Sequence, residues 1–235
     1  MPVAIIAECG INFSNYTEAQ MLATKAKECG SDIVKYQTHF NWKYPMLTKL
    51  EWKSLKQYCD EIGIIFMSTA WSFEAIDFLA EIGMTHWKIP SSELENEEYV
   101  KKIRSKNPKR LFCSNGFNDN KSLGLCEMLY CISKYPTMLD ELDFHYHWDG
   151  NSVFDVAYDG YSDHTDNIYA PIIAVSHGAK VIEKHFCLSH PCIDDAVSIT
   201  PDKFKEMVDV IRQLENYKEP VIPPEILALK NRVQS

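Results

Sequence analysis

Lys35 and Lys88, His164 and His185, and Glu8, Glu93 and Glu183 stand at or near the ends of short apolar runs. Two lysines inside a barrel would be costly to bury unpaired, and their simplest use is to hold a multiply charged anion such as a phosphate ester. Thr69, Ser91, Ser114, Ser133 and Ser162 lie at similar positions and add hydroxyl donors, with Ser68, Asp163, Gln37 and Tyr135 nearby. The alternative is internal pairing of each lysine with a carboxylate, Glu8 or Glu93. The two histidines end consecutive runs. Neighbouring parallel strands lie about 4.8 Å apart, so two imidazoles at equal height can share one divalent metal, with water or substrate oxygens completing the shell. Hydrogen-bonded structural histidines are the alternative. The three glutamates are candidate acid–base groups. A carboxylate beside a metal and two lysines is expected to stay ionised, which suits a base or an orienting group.

The elements that must position these residues alternate regularly. Candidate strands cover 3–8, 32–38, 64–70, 86–92, 110–115, 129–135, 159–164 and 180–186. Most are near-continuous apolar runs with polar C-terminal ends, the pattern of parallel strands buried on both faces. Helical patterns lie between them at 17–30, 49–63, 73–83, 96–106 and 170–178, and a last one covers 200–218. Thr17 and Gln20 have capping-box spacing, and Thr200-Pro201 reads as an N-cap followed by proline at the first helical position. Residues 118–128 predict a short helix at best, and 138–158 an irregular element around Asp149-Gly150-Asn151. Eight such alternations predict an α/β fold, a single-domain (β/α)8 TIM barrel over residues 1–217, with 218–235 as a tail. The turn after the first strand, ECGINFSN, lacks the Gly-x-Gly-x-x-Gly of a doubly wound sheet. Active sites in such barrels lie at the C-terminal ends of the strands, where the polar residues above collect.

Composition narrows the partners. The 235 residues carry 24 Lys+Arg against 33 Asp+Glu, a formal charge of −9, which argues against a nucleic-acid partner. No run approaches the roughly 18 apolar residues of a membrane span, so no membrane partner is expected. The N-terminus reads as a strand rather than a signal segment, which leaves the cytoplasm as the expected compartment. The eight cysteines include no Cys-x2-Cys pair and are expected to be reduced and buried as small hydrophobes. His39, His86, His145, His147, His177 and His190 form no pattern, with His145 and His147 expected at the surface or rim. Phe13, Trp42, Tyr44 and Trp148 are candidates to cover the mouth of the site or form an interface.

The segments IIAECGIN, DIVKYQT, FMSTAWS, WKIPSSE, YPT, YSDHT, GAKVIEKHF and ID-x3-S occur in this order between about residues 3 and 215. Together they resemble the N-acetylneuraminate (sialic acid) synthases and the related legionaminic and pseudaminic acid synthases. The resemblance implies a (β/α)8 transferase that condenses phosphoenolpyruvate with a sugar aldehyde and releases phosphate. It implies a divalent metal, Mn2+ first and Mg2+ or Co2+ as alternatives, held by His164 and His185. Phosphoenolpyruvate contacts carry over to Lys35, Thr69, Lys88, Ser91, Ser114 and Ser162, and the base or water-orienting role to Glu8. Gln37, Glu93, Tyr135, Glu183 and Asp194 match residues lining the sugar or metal side. The expected catalytic set is Glu8, Lys35, Lys88 and Glu183. A homodimer is also implied.

Several positions depart from the family pattern. Phe13 follows Asn12 where the family has histidine. Ser133 replaces an asparagine, which weakens one phosphate contact. Pro-Gly-Pro-Asp becomes Pro191-Cys192-Ile193-Asp194, and the connection after the second strand is short. The family's antifreeze-like C-terminal domain, which supplies an arginine to the sugar across a swapped dimer, has no counterpart in these residues. The expectation is a minimal synthase with a changed or smaller aldehyde. The alternatives are an N-acetylmannosamine synthase needing a separate partner, and a non-catalytic barrel that binds a phosphorylated metabolite.

Overall fold

A computed structural model describes residues 2–40, 47–116, 124, 126–144 and 153–217. The apolar runs form β1 (Ala4–Gly10), β2 (Ile33–Thr38), β3 (Ile65–Ala70), β4 (His86–Ile89), β5 (Arg110–Asn115), β6 (Glu127–Tyr130), β7 (Gly160–Asp163) and β8 (Val181–His185). Each pairs in parallel with the next, and β8 closes on β1. Outside them run α1 (Tyr16–Glu28), α2 (Lys49–Ile62), α3 (Phe73–Glu81), α4 (Glu97–Arg104), α5 (Val153–Val156), α6 (Tyr169–Ser176) and α7 (Pro201–Glu215). The expected (β/α)8 barrel is therefore the fold. No described helix is long and apolar enough to cross a membrane.

The period of two along each strand explains why the runs look continuous. Outward residues such as Ile5, Val34, Tyr36, Phe66 and Trp87 join the apolar faces of the helices in one large core. Inward, Ile6, Ile33, Met67, Phe112, Leu129 and Val181 form a separate, fully buried plug at the lower end of the barrel. Two residues further along the same strands the inward positions are Glu8, Lys35, Thr69, Ser114 and Glu183. Strand alternation thus stacks a polar layer directly on an apolar one.

Several local expectations change. Helix α1 is capped by Asn15, whose side chain accepts from the Glu18 N–H, so Thr17 lies inside the helix. Asparagine is at least as good a cap as threonine and sits two residues earlier. The full capping box is at Thr48–Glu51 on α2. Strand β6 ends at Tyr130, so Ser133 and Tyr135 belong to the connection beyond it. Phe13 is buried in an edge-to-face cluster with Tyr36 and Trp52, which makes it core rather than mouth. Trp42, Tyr44, His145, His147, Trp148, most of 118–128 and the 218–235 tail lie outside the described residues. The 138–158 segment contains a 3-10 turn, Leu139–Glu141, and α5 among its described residues.

Gly160 shows how tightly the lower layer is closed. A Cβ there would stand 2.2 Å from the Val181 carbonyl oxygen and 2.6 Å from the Val181 Cβ. Those partners are the adjacent strand itself and have no free torsion to relieve the clash. Gly160→Ala is expected to cost about 1–3 kcal/mol, lowering the melting midpoint by several degrees in calorimetry. An unchanged midpoint would contradict this packing.

Candidate functional site

The register β1–β2 sets Glu8 opposite Lys35, and the two are joined by a buried ion pair. Across the barrel, Lys88 Nζ donates to Glu183 Oε1 at 2.7 Å, and Ser162 Oγ donates to the same oxygen at 2.8 Å. Glu183 Oε2 lies 3.9 Å from Lys35 Nζ and has no hydrogen-bond partner among the described residues. Gln37 Nε2 donates to Glu8 Oε1 at 3.3 Å. All four charged residues are buried. Internal pairing is thus present in the geometry, but Lys88 pairs with Glu183 rather than Glu93. Glu93 instead accepts from Asn96 Nδ2 at 2.8 Å and does not line the cleft.

Burial and pairing compete differently at the two glutamates. Burial would raise Glu183, but Lys35, Lys88 and the bonds from Lys88 and Ser162 overcome it and hold the carboxyl well below its usual range. At Glu8 burial outweighs the attraction of Lys35, and Glu183 adds repulsion, so its pKa is raised. The two carboxylates are therefore shifted in opposite directions. Lys35 is raised, because Glu183 and Glu8 together overcome its desolvation.

Above this quartet opens a cleft of about 220 Å3. Lys35, Gln37, Thr69, Lys88, Ser91, Ser114, Ser133, Tyr135, Ser162, His164 and His185 line it around Glu8 and Glu183. The Ser114 hydroxyl is buried and has no hydrogen-bond partner of normal geometry among the described residues. Ser68 is absent from the lining and bonds Thr38 at 2.8 Å on the outer face.

The histidines meet as expected, with ring centroids 5.6 Å apart. His164 Nδ1 lies 2.7 Å from the Ile132 carbonyl, so it carries the proton and Nε2 keeps its lone pair. Tyr135 stacks on His164 and its hydroxyl lies 3.1 Å from that Nε2. Burial, with His185 beside it, pushes His164 down to about 3, so the ring is neutral and fit to ligate. Asp194 Oδ2 lies 3.5 Å from His185 Nδ1, and both atoms are buried without a hydrogen bond of normal geometry among the described residues. Asp194 is placed by Asn12, whose Oδ1 accepts the Asp194 N–H at 2.9 Å while its Nδ2 donates to Phe186 O and Ser198 Oγ, each at 3.1 Å. At Gly10, φ +53°, a Cβ would stand 2.7 Å from Asp194 Oδ2. The neutral His164 ring together with the His185 imidazole and the Asp194 carboxylate, whose Nδ1 and Oδ2 are unpartnered among the described residues, is a donor set that fits a divalent cation.

The outer face supports this arrangement. In YSDHT, Ser162 and His164 point inward while Asp163 points outward. Asp163 is fully buried, pairs with Lys184 at 2.7 Å, and accepts from Tyr161, the Thr165 N–H and the Thr165 hydroxyl at 2.8–3.0 Å. Lys184 is the outward residue between Glu183 and His185. One outer ion pair therefore fixes the strand ends that present four inner groups.

Two contributors had not been singled out. Trp71, the first residue after β3, lines the cleft, donates to Gln37 Oε1 at 3.1 Å and stacks on His39 at 5.4 Å. Its place directly beyond a strand's C-terminal end was the available signal. Asn12 offered none, because its role depends on a loop 182 residues away.

The NeuB family model matches residues 42–221. The chain is similar to an N,N'-diacetyllegionaminic acid synthase of Legionella pneumophila, 32% identical over 92% of this chain and 73% of the relative. It is also similar to a pseudaminic acid synthase of Campylobacter jejuni, 31% identical over 98% of this chain and 79% of that one. In fold it matches the crystal structure of an N-acetylneuraminic acid (sialic acid) synthetase from Leptospira borgpetersenii in complex with citrate. The TM-score is 0.84 at 22% identity, covering 100% of this chain and 93% of that chain.

The neutral state of His164 has a measurable consequence. The unfolded imidazole takes up a proton near 6.5, whereas the native ring resists down to about 3. Between these values the unfolded state binds more protons, so stability falls as pH drops, by about 1.4 kcal/mol per unit from this residue. Urea unfolding of metal-free protein from pH 7 to pH 4 is expected to show this slope, and His164→Gln to flatten it. An equally steep acid limb in the variant would contradict the assignment.

Proposed function

The chain belongs to the NeuB family, and on that premise we propose that it condenses phosphoenolpyruvate with an open-chain sugar aldehyde to give a 2-keto-3-deoxy acid and phosphate. The observation that carries this reading is the pair of buried lysines, each held by a carboxylate beneath a cleft rich in hydroxyls. Lys35 and Lys88 offer the positive charge that a phosphate and a carboxylate require. Thr69, Ser91, Ser114 and Ser162 add donors that follow the charge as it moves onto the leaving phosphate.

In the reaction, C3 of the enol attacks the aldehyde carbon and forms the new carbon–carbon bond. A water oxygen adds at C2, and the C2–O bond then breaks to release phosphate. One water proton ends on the former aldehyde oxygen, and the other leaves with phosphate or to solvent. Glu8, with its raised pKa, is a stronger base than an ordinary carboxylate and takes the water proton. Glu183 stays ionised between the lysines and keeps both side chains extended into the cleft. Ser162 fixes Glu183 in turn.

His164, His185 and Asp194 would hold the divalent ion, Mn2+ first and Mg2+ or Co2+ as alternatives. When bound, that ion supplies Lewis-acid polarisation of the aldehyde oxygen. Gln37, Trp71 and Tyr135 face the sugar side. The aldehyde is proposed to differ from N-acetylmannosamine, because the Pro191–Asp194 segment and the short connection after β2 depart from the family pattern in that half of the site.

Phosphate release from phosphoenolpyruvate, with Mn2+ and a panel of N-acyl hexosamines and simple aldoses, tests the proposal. Release is expected with at least one aldehyde, falling at least about 100-fold in Glu8→Gln and to background in His164→Ala. No release with any aldehyde, or release unaffected by both substitutions, would refute it.

A further inference from the structure

The loop from Cys187 to Asp195 collects three soft donors that the proposed reaction does not use. Cys187 Sγ, a ring nitrogen of His190 and Cys192 Sγ all lie within 4.8 Å of one another. Cys187 is fully buried beneath the loop, Cys192 is partly covered, and the His190 side chain is 45% exposed. Asp195 Oδ1 lies 2.7 Å from His190 Nδ1 and accepts the Cys192 N–H at 2.9 Å. A carboxylate on one ring nitrogen is the contact that orients an imidazole to ligate through the other. Metal–sulfur bonds of about 2.3 Å and metal–nitrogen bonds of about 2.0 Å set tetrahedral donors roughly 3.5 Å apart. Small side-chain rotations therefore bring the three atoms into a common shell. The sequence pattern is Cys-x2-His-x-Cys, which a search for paired Cys-x2-Cys motifs passes over.

We propose that Cys187, His190 and Cys192 form a thiolate–imidazole site for a thiophilic divalent ion of the Zn2+ type, with water in the remaining position, and that this ion clips the loop carrying Asp194. The site is chemically distinct from the His164–His185–Asp194 set. Two thiolates select a soft ion, whereas imidazoles with a carboxylate accept harder ones. The clip adds to the Asp195 contacts with His190 and Cys192 inside the loop. The loop's start is tied by the Cys187 N–H to Ile199 O at 3.2 Å, and its end by the Asp194 N–H to Asn12 at 2.9 Å. An ion bound between these anchors fixes the stretch that delivers Asp194 towards His185. Binding releases the thiol protons to solvent, so affinity rises with pH.

Titration of reduced, metal-free protein with Co2+ tests the site, because cobalt–thiolate bonds give a near-ultraviolet charge-transfer band that imidazole–carboxylate sites lack. One equivalent with that band is expected, retained in the His164→Ala/His185→Ala double variant and displaced by Zn2+. Zn2+ should also protect two thiols from a chromogenic disulfide reagent. Cys192→Ser is expected to abolish the band, and Asp195→Ala to weaken Co2+ binding by about 10–100-fold. Both positions are exposed enough to be changed without opening the core, and circular dichroism checks their folding. Absence of the band in the parent protein, or its survival in both Cys192→Ser and His190→Ala, overturns the proposal. So does a Cys187–Cys192 disulfide that, once reduced, leaves protein unable to take up Co2+.

Discussion

Two ammonium groups held inside a barrel must each have a carboxylate, and that requirement organises the upper half of this molecule. Removing one partner from such a buried pair costs about 3–5 kcal/mol, because the remaining charge is stranded. Glu8 answers Lys35 and Glu183 answers Lys88, with Glu183 also within 3.9 Å of Lys35. Two positive and two negative charges make the layer neutral without substrate. It rests on the apolar plug of Ile6, Ile33, Met67, Phe112, Leu129 and Val181, which keeps water from reaching it from below. The lysines are thus fixed in place before any anion arrives, and the hydroxyls around them need little rearrangement.

The same strand alternation divides labour between the faces. In β7 and β8 the inward residues Ser162, Glu183 and His185 address the cleft, while outward Asp163 and Lys184 pair in the shell beneath the helices. The turn carrying His164 is built by Asp163 through Thr165. Positioning and chemistry are therefore interleaved residue by residue, and this interleaving makes the YSDHT and IEKHF segments distinctive.

Much of this was legible in the sequence. The alternation of apolar runs with helical patterns predicted the closed parallel barrel, and polar strand ends predicted most of the cleft lining. The failures have specific causes. Tyr135 and Ser133 were placed on a strand because apolar character continues past Tyr130, although hydrogen-bonded pairing stops there. Glu93 looked equivalent to the other glutamates, but the chain turns into a 3-10 segment at Ser91–Glu93 and points it towards Asn96. The direction of the Glu8 shift depends on how burial weighs against one lysine, which spacing does not encode. Asn12 and the Cys187–His190–Cys192 group depend on loop geometry that no periodicity reports.

The central claim is that Lys35 and Lys88 form one preorganised anion site. The most direct test is calorimetric binding of phosphoenolpyruvate, with Mn2+ present, to the parent protein, Lys35→Met, Lys88→Met and the double variant, each checked for folding. Each single change is expected to weaken binding at least about tenfold, equivalent to about 1.4 kcal/mol, and the two losses should not add, because the lysines share Glu183. Undiminished affinity in either single variant would contradict the account.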